Sequence, residues 1–223
     1  MRVDTHVHSS YSMESSPDRS EPSLILKAAN KAGIDGVCIS DHDTMEGYRE
    51  TARIRKPGDP LVIPACEVST TRGHLLVLGV DRDWPERPEP EEVVDQVRSE
   101  GGVVSAPHPF YISTISVSWL ARELRLAVET FNAMASVLIY PNLVARKFAV
   151  KYGLPTTGGS DAHSYEMVGL GLTVAESGTI DGFISEIANG RSRAQGRPPP
   201  IGFSVRFASR SAGTALLRLG KRA

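Results

Sequence analysis

The chain has 223 residues, 40% of them hydrophobic and 23% charged, with six histidines and two cysteines. That composition supports one large folded domain or two small ones, and it excludes a stapled mini-protein, a collagen-like fibre, a coiled coil and wholesale disorder. The formal net charge of −1 hides an asymmetry: residues 191–223 hold eight of the 25 basic residues and none of the 26 acidic ones, which leaves the remainder with a balance of −9.

Short β-branched or apolar runs alternate with longer helical patterns, the signature of a parallel α/β fold. Residues 2–8, RVDTHVH, read as the first strand. A helix is predicted over 21–32, with Leu24, Ile25, Ala28, Ala29 and Ala32 at helical spacing behind Pro17 and Pro22 and a stop at Gly33. Further strands are predicted at 36–41, 61–67, 74–80, 102–108, 127–132, 154–161 and 171–176, and further helices at 46–55, 90–100, 119–125, 142–152 and 179–189. The Pro- and charge-rich residues 80–92 read as an exposed loop rather than a linker, because strand and helix patterns resume on both sides. No apolar run approaches the roughly 20 residues of a membrane helix, and MRVDTHVHSS lacks the apolar stretch of a signal peptide, so a cytoplasmic protein with no membrane partner is expected. Cys38 and Cys66 lie in apolar runs and read as buried thiols, with no disulfide.

The expected organisation is a catalytic barrel over 1–193 and a basic extension over 194–223, in which Ala215, Leu216, Leu217 and Leu219 suit one short amphipathic helix. The extension reads either as a solubilising tail or as a surface that attracts polyphosphate or RNA.

His6, His8, His42, His74, His108 and His163 each stand at the beginning or end of an apolar run. Strand alternation puts His6 and His8 on one face, about 7 Å apart, with Asp4 in the same parity to orient an imidazole. Asp161 and His163 repeat the carboxylate–imidazole pairing, His42 is flanked by Asp41 and Asp43, and Glu67 and His108 sit near the ends of two further strands. In a parallel barrel such ends converge on one mouth, where so many lone pairs and carboxylates are costly without cations. The oxygen and nitrogen donors suit two or three divalent metal ions (Mn, Fe or Zn), and the absence of clustered cysteines disfavours a closed structural zinc site. Ions clamping a bridging hydroxide are the working parts of metal-assisted hydrolysis.

The strings DTHVHSSYS, ISDHDT, the Glu of PACEV, GHLLVLG, APHPF and GGSDAHS resemble, in order, the motifs of the polymerase and histidinol phosphatase (PHP) family of metal-dependent phosphoesterases, from Val3 to about Arg193. The resemblance implies an α/β fold, a distorted (β/α)7 TIM-like barrel in a single domain, with a multinuclear site at the strand ends. It implies that His6, His8, Glu67 and Asp161 hold one ion, that His42 and His163 hold a second, that Glu67 bridges, and that His108 serves a third. Asp161 is also taken as catalytic. The slot after HxH holds Glu14, which reads equally as an oxygen ligand or a solvated loop residue, and the late slot that is sometimes His holds Asn132, a weaker ligand. His74 matches an active-site position and suits donation to a phosphate oxygen or to the leaving group, with a structural role beside Gly73 as the alternative.

The expected activity is hydrolysis of a phosphomonoester on a small phosphorylated substrate, a nucleotide or an RNA 5′ end. The alternatives are a histidinol-phosphate phosphatase, a metal-binding regulatory module without catalysis, and an amidohydrolase-like C–N hydrolase, which the lack of a suitably placed Lys disfavours. Arg72, Gly158, Gly159, Phe110 and Tyr111 read either as phosphate or base contacts or as ordinary loop, turn and capping residues.

Overall fold

The computed structural model describes residues 1–12, 15, 17–111, 115–138 and 140–200. Glu14 and the proposed tail helix lie outside the described residues. Nine strands of the described residues form one sheet: β1 (Arg2–Val7), β2 (Gly36–Ile39), β3 (Leu61–Thr70), β4 (Gly73–Leu78), β5 (Val103–Ala106), β6 (Ala127–Asn132), β7 (Thr156–Gly159), β8 (Gly171–Val174) and β9 (Arg193–Gly196). Their order is β7-β6-β5-β4-β3-β2-β1-β8-β9. Among the described residues six helices accompany them: α1 (Pro22–Ala32), α2 (Glu46–Ile54), α3 (Pro90–Ser99), α4 (Ile115–Glu123), α5 (Tyr140–Tyr152) and α6 (Ile180–Ala188). None of the described helices is long and apolar enough to cross a membrane.

The sheet curls into a nearly closed barrel, as the α/β reading expects. It closes where the edge strand β7 approaches β1, β8 and the start of β9: Thr5 Oγ1 donates to the Gly158 carbonyl at 3.0 Å, the Gly158 N–H donates to Thr173 Oγ1 at 2.8 Å, and Ser192 Oγ donates to the Thr156 carbonyl at 2.7 Å. Two glycines permit that approach. A Cβ on Gly159 would lie 2.4 Å from His6 Cβ, and one on Gly158 would lie 2.7 Å from the Leu172 carbonyl oxygen. Gly158 and Gly159 therefore close the barrel, and their place in the molecule is a packing one.

The simple strand–helix alternation fails twice among the described residues: between β7 and β8, where only a 3₁₀ turn (Tyr165–Met167) intervenes and β8 runs antiparallel to β1, and between β3 and β4. β3 runs three residues past its predicted end and turns through Thr71 and Arg72 into β4, pairing antiparallel from Ala65↔Leu78 to Thr70↔Gly73. Because β4 runs against its neighbours, its first residues lie at the same barrel end as the last residues of β3. His74, near the start of a strand, thereby reaches the mouth. The ninth strand lies across the expected boundary at residue 193 and pairs antiparallel with β8, and Arg197 donates to the Leu170 carbonyl at 2.9 Å.

Helix placement follows the apolar stripes. α1 begins with Pro22 in its first turn and ends at Gly33, whose φ of 62° accommodates a left-handed cap. α1 and α2 pack on Val7, Val37 and Ile39, while α3, α4 and α5 cover Val68, Val77 and Val128 from the outside. At the barrel end opposite the histidines, Phe183, Ile184 and Ile187 of α6 join Val3, Ile63 and Leu78. Polar chemistry is thus left to the other end. Cys38 and Cys66 are both buried and unpaired with one another.

Candidate metal centre

Hydrogen bonding at the mouth ties successive strand ends together. The Ser40 N–H reaches the Val7 carbonyl, the His8 N–H reaches the Ala162 carbonyl, and the Asp161 N–H reaches the His6 carbonyl. Glu67 N–H meets the Asp41 carbonyl and Asp43 N–H meets the Glu67 carbonyl, so His42 stands beside Glu67. Among the described residues only five non-glycines have positive φ, and three of them are Asp43, His108 and Asp161, at 56°, 30° and 55°. Strained backbone is concentrated where the side chains converge.

Glu67 is buried at the centre. Its Oε2 lies 3.0 Å from His6 Nε2, 3.3 Å from His8 Nε2 and 3.6 Å from His42 Nε2. Its Oε1 lies 3.1 Å from His74 Nδ1 and 3.3 Å from His108 Nε2. One carboxylate thus faces five imidazoles, three on one oxygen and two on the other. Asp161 Oδ1 lies 3.4 Å from His8 Nε2 and 3.6 Å from both His6 Nε2 and His163 Nδ1.

The ligand atoms fall into overlapping groups within 4.8 Å: His6, His8 and Glu67; His8, Asp161 and His163; His6, His108 and Asp161; His42, Glu67 and His74. His6, His8, Glu67 and Asp161, which the resemblance assigns to one ion, lie close together. His42 groups with His74 and Glu67, and His163 groups with His8 and Asp161, whereas the resemblance pairs His42 with His163. His74, expected to act on the substrate, stands at ligand distance as well.

Divalent ions fit this donor set. His6 Nε2 and His8 Nε2 approach to 3.1 Å and both face Glu67 Oε2, so lone pairs converge on one point. The donors are nitrogen and oxygen, and both thiols lie elsewhere in the core. Electrostatics agree. Burial disfavours charge on Glu67 and Asp161, yet the neighbouring imidazoles, His6 foremost, hold both carboxyls well below the usual range. Burial likewise disfavours a charged His8, but Asp161 and Glu67 outweigh it and raise the ring to about 9. Positive charge is what the cluster is built to hold.

Asp4 corrects an expectation. The β1–β2 register shifts between Asp4 and Val7, which breaks the alternation that would set Asp4 beside the imidazoles. Its carboxylate instead accepts the N–H groups of Ser160 at 2.9 Å and Gly169 at 2.7 Å. The acceptor for the His6 ring is Glu129 Oε1, 3.0 Å from Nδ1, a residue the sequence reading passes over. Its signal was a carboxylate inside the apolar strand AVETF, which needs buried partners.

Asp41 and Asp43 likewise face the main chain: Asp41 accepts the N–H and hydroxyl of Ser9, and Asp43 accepts the Ser69 N–H at 2.6 Å. Asn132 is buried and donates to Glu129 and Asp161. Arg72 pairs with Glu91 on the surface, and Phe110 packs edge-on against Phe148.

A PHP domain model matches residues 4–103 and a PHP-associated model matches residues 140–192. An uncharacterized protein of Methanocaldococcus jannaschii is 33% identical over 155 residues, which cover 66% of this chain and 91% of that protein. A two-domain protein of Bacteroides vulgatus containing a predicted PHP-like metal-dependent phosphoesterase superposes with a TM-score of 0.70 at 16% identity, over 88% of this chain and 65% of that one. A lesion-specific endonuclease of Pyrococcus furiosus superposes with a TM-score of 0.59 at 18% identity, over 87% of this chain and 58% of that one. The chain therefore spans less than two thirds of either solved protein, and both share its barrel. With ordered motifs, converging ligands and matched models in agreement, this chain belongs to the PHP family of metal-dependent phosphoesterases.

Proposed function

We propose that the protein hydrolyses phosphomonoesters, with a nucleotide or an RNA 5′ end as the substrate class, using two or three divalent ions held around Glu67. The observation that carries this reading is the division of the Glu67 carboxylate between imidazole groups on its two oxygens, the arrangement of a bridging ligand. When bound, the ions supply an activated water and polarise the phosphoryl oxygen.

The chain's own residues do the rest. His6, His8 and Asp161 present their ligand atoms from the ends of β1 and β7, and Glu67, whose two oxygens face different imidazoles, would be the ligand that neighbouring ions share. His74, with its side chain 40% exposed, is fixed through Nδ1 on Glu67 and presents its other ring edge at the mouth. That edge suits a hydrogen bond to a phosphate oxygen or to the departing alkoxide.

The test is phosphate release from nucleoside 3′,5′-bisphosphates, 5′-phosphorylated RNA and histidinol phosphate, with Mn²⁺ and with chelator. Chelator-sensitive release from the nucleotides or RNA is expected. Release from histidinol phosphate alone would move the activity to that substrate, and silence in protein shown to contain metal would leave a binding role. If the basic residues beyond 200 guide RNA, truncation after Pro200, which spares β9, weakens RNA binding and lowers its salt dependence.

A further inference from the structure

Glu129 is buried in β6 and belongs to none of the ligand groups around Glu67. A carboxylate in that position must be met by donors, and three converge on it. His6 Nδ1 lies 3.0 Å from Oε1, while the His108 N–H and Asn132 Nδ2 each donate to Oε2 at 2.8 Å. Asn132 Nδ2 also lies 3.2 Å from Asp161 Oδ2. His6, His108 and Asp161 are themselves one of the groups whose ligand atoms lie within 4.8 Å of one another. A single carboxylate thus holds one member by its ring, one by its main chain and one through an amide.

We infer that Glu129 is the positioning residue of this ion pocket: by accepting the proton at His6 Nδ1 it fixes the tautomer whose Nε2 lone pair faces His8, Glu67 and Asp161, while it holds His108 in place. His108 needs such a hold, because its φ of 30° is unfavourable for a side chain with a Cβ. The fold also reserves the space: a Cβ on Gly159 would come within 2.9 Å of Glu129 Oε1 and 2.4 Å of His6 Cβ. The inference deepens the ion-binding part of the proposed function and rests on it.

An amide of the same shape cannot do this work. Glutamine at 129 has one acceptor oxygen for three donors. Turned toward His108 and Asn132, it presents its NH₂ to His6 Nδ1, which must then accept, and the ring proton moves to Nε2 where an ion would bind. Turned the other way, its NH₂ meets two donors.

Zinc titration of the full chain by calorimetry, with ¹⁵N–¹H spectra of the imidazoles, tests this directly. Zinc-loaded wild type should show His6 protonated at Nδ1 and bound through Nε2. Glu129→Gln should weaken zinc binding by about 10- to 100-fold. Asn132→Ala, which leaves the His6–Glu129 pair intact, should keep the wild-type tautomer and cost less than about tenfold. Intact zinc binding in folded Glu129→Gln would overturn the inference alone. Should that variant not fold, the wild-type spectrum decides, since His6 bound through Nδ1 overturns it too. A wild-type chain that takes up neither zinc nor manganese would overturn the ion reading and this inference together.

Discussion

On one side of the His6 ring, Nε2 meets Glu67, His8 and Asp161; on the other, Nδ1 meets Glu129. Both sides are buried and both contain carboxylates, yet they are satisfied differently. Behind the ring, Glu129 and Asp4 accept from main-chain N–H groups, an amide and a ring nitrogen, all fixed by the fold. In front, Glu67 and Asp161 face imidazoles, whose charge depends on what else is bound. Hydrogen bonds do not make the rear harmless to ionise: burial dominates at Asp4 and raises its pKa to about 6. At the front the balance is reversed, and nearby positive charge holds both carboxyls down against burial. The front is therefore a place for exchangeable positive charge and the rear is scaffold. Protons and divalent ions compete for the one, and the main chain occupies the other.

Substitutions on the two sides should separate activity from stability. The largest effect is expected at the front, where His8→Ala or Asp161→Ala should lower phosphomonoester hydrolysis by on the order of a thousandfold while leaving a folded chain. Circular dichroism beside the rate assay checks this, and retained turnover with either change would remove that residue from the site. Gly159→Ala lies between the two sides. Its Cβ would meet His6 main chain and side chain, so both should suffer: about 1–3 kcal/mol of stability by denaturant titration and a measurable loss of zinc affinity. Asp4→Asn, at the rear, leaves a main-chain N–H facing an NH₂ group. It should cost about 1–3 kcal/mol in unfolding and leave metal affinity within about threefold. The smallest effect is expected at Arg72→Ala, which removes an exposed pair with Glu91; stability should change by less than about 1 kcal/mol and hydrolysis by less than about twofold. A large loss of activity there would show that Arg72 leaves Glu91 to meet the phosphate.

Most of the front was legible in the sequence, because HxH, SDHD, HP and DAH each mark a strand end where period-2 alternation gives way to a loop. The rear was not. Asp4 shares sequence parity with His6, and only the register shift in β1, a property of its pairing with β2, sends it elsewhere. Glu129 sits in a strand that otherwise reads as continuous core, and beside its near neighbour Asn132 its partners His108 and His6 are 21 and 123 positions away. His74 presents a related difficulty. Its place at the mouth depends on β4 running antiparallel, which a reading of repeated strand–helix units does not anticipate. Strand ends are local and visible in one dimension, whereas the acceptors that steady them are set by tertiary pairing.

The most direct test of the account is the number of metal ions held by the chain with and without the Glu67 carboxylate, measured by elemental analysis after loading with Mn²⁺ or Zn²⁺. Wild type should retain at least about two ions per chain, and Glu67→Gln should lose more than one, because a single side chain serves groups on both of its oxygens. Loss of one ion or none from folded Glu67→Gln would contradict a centre built around that residue.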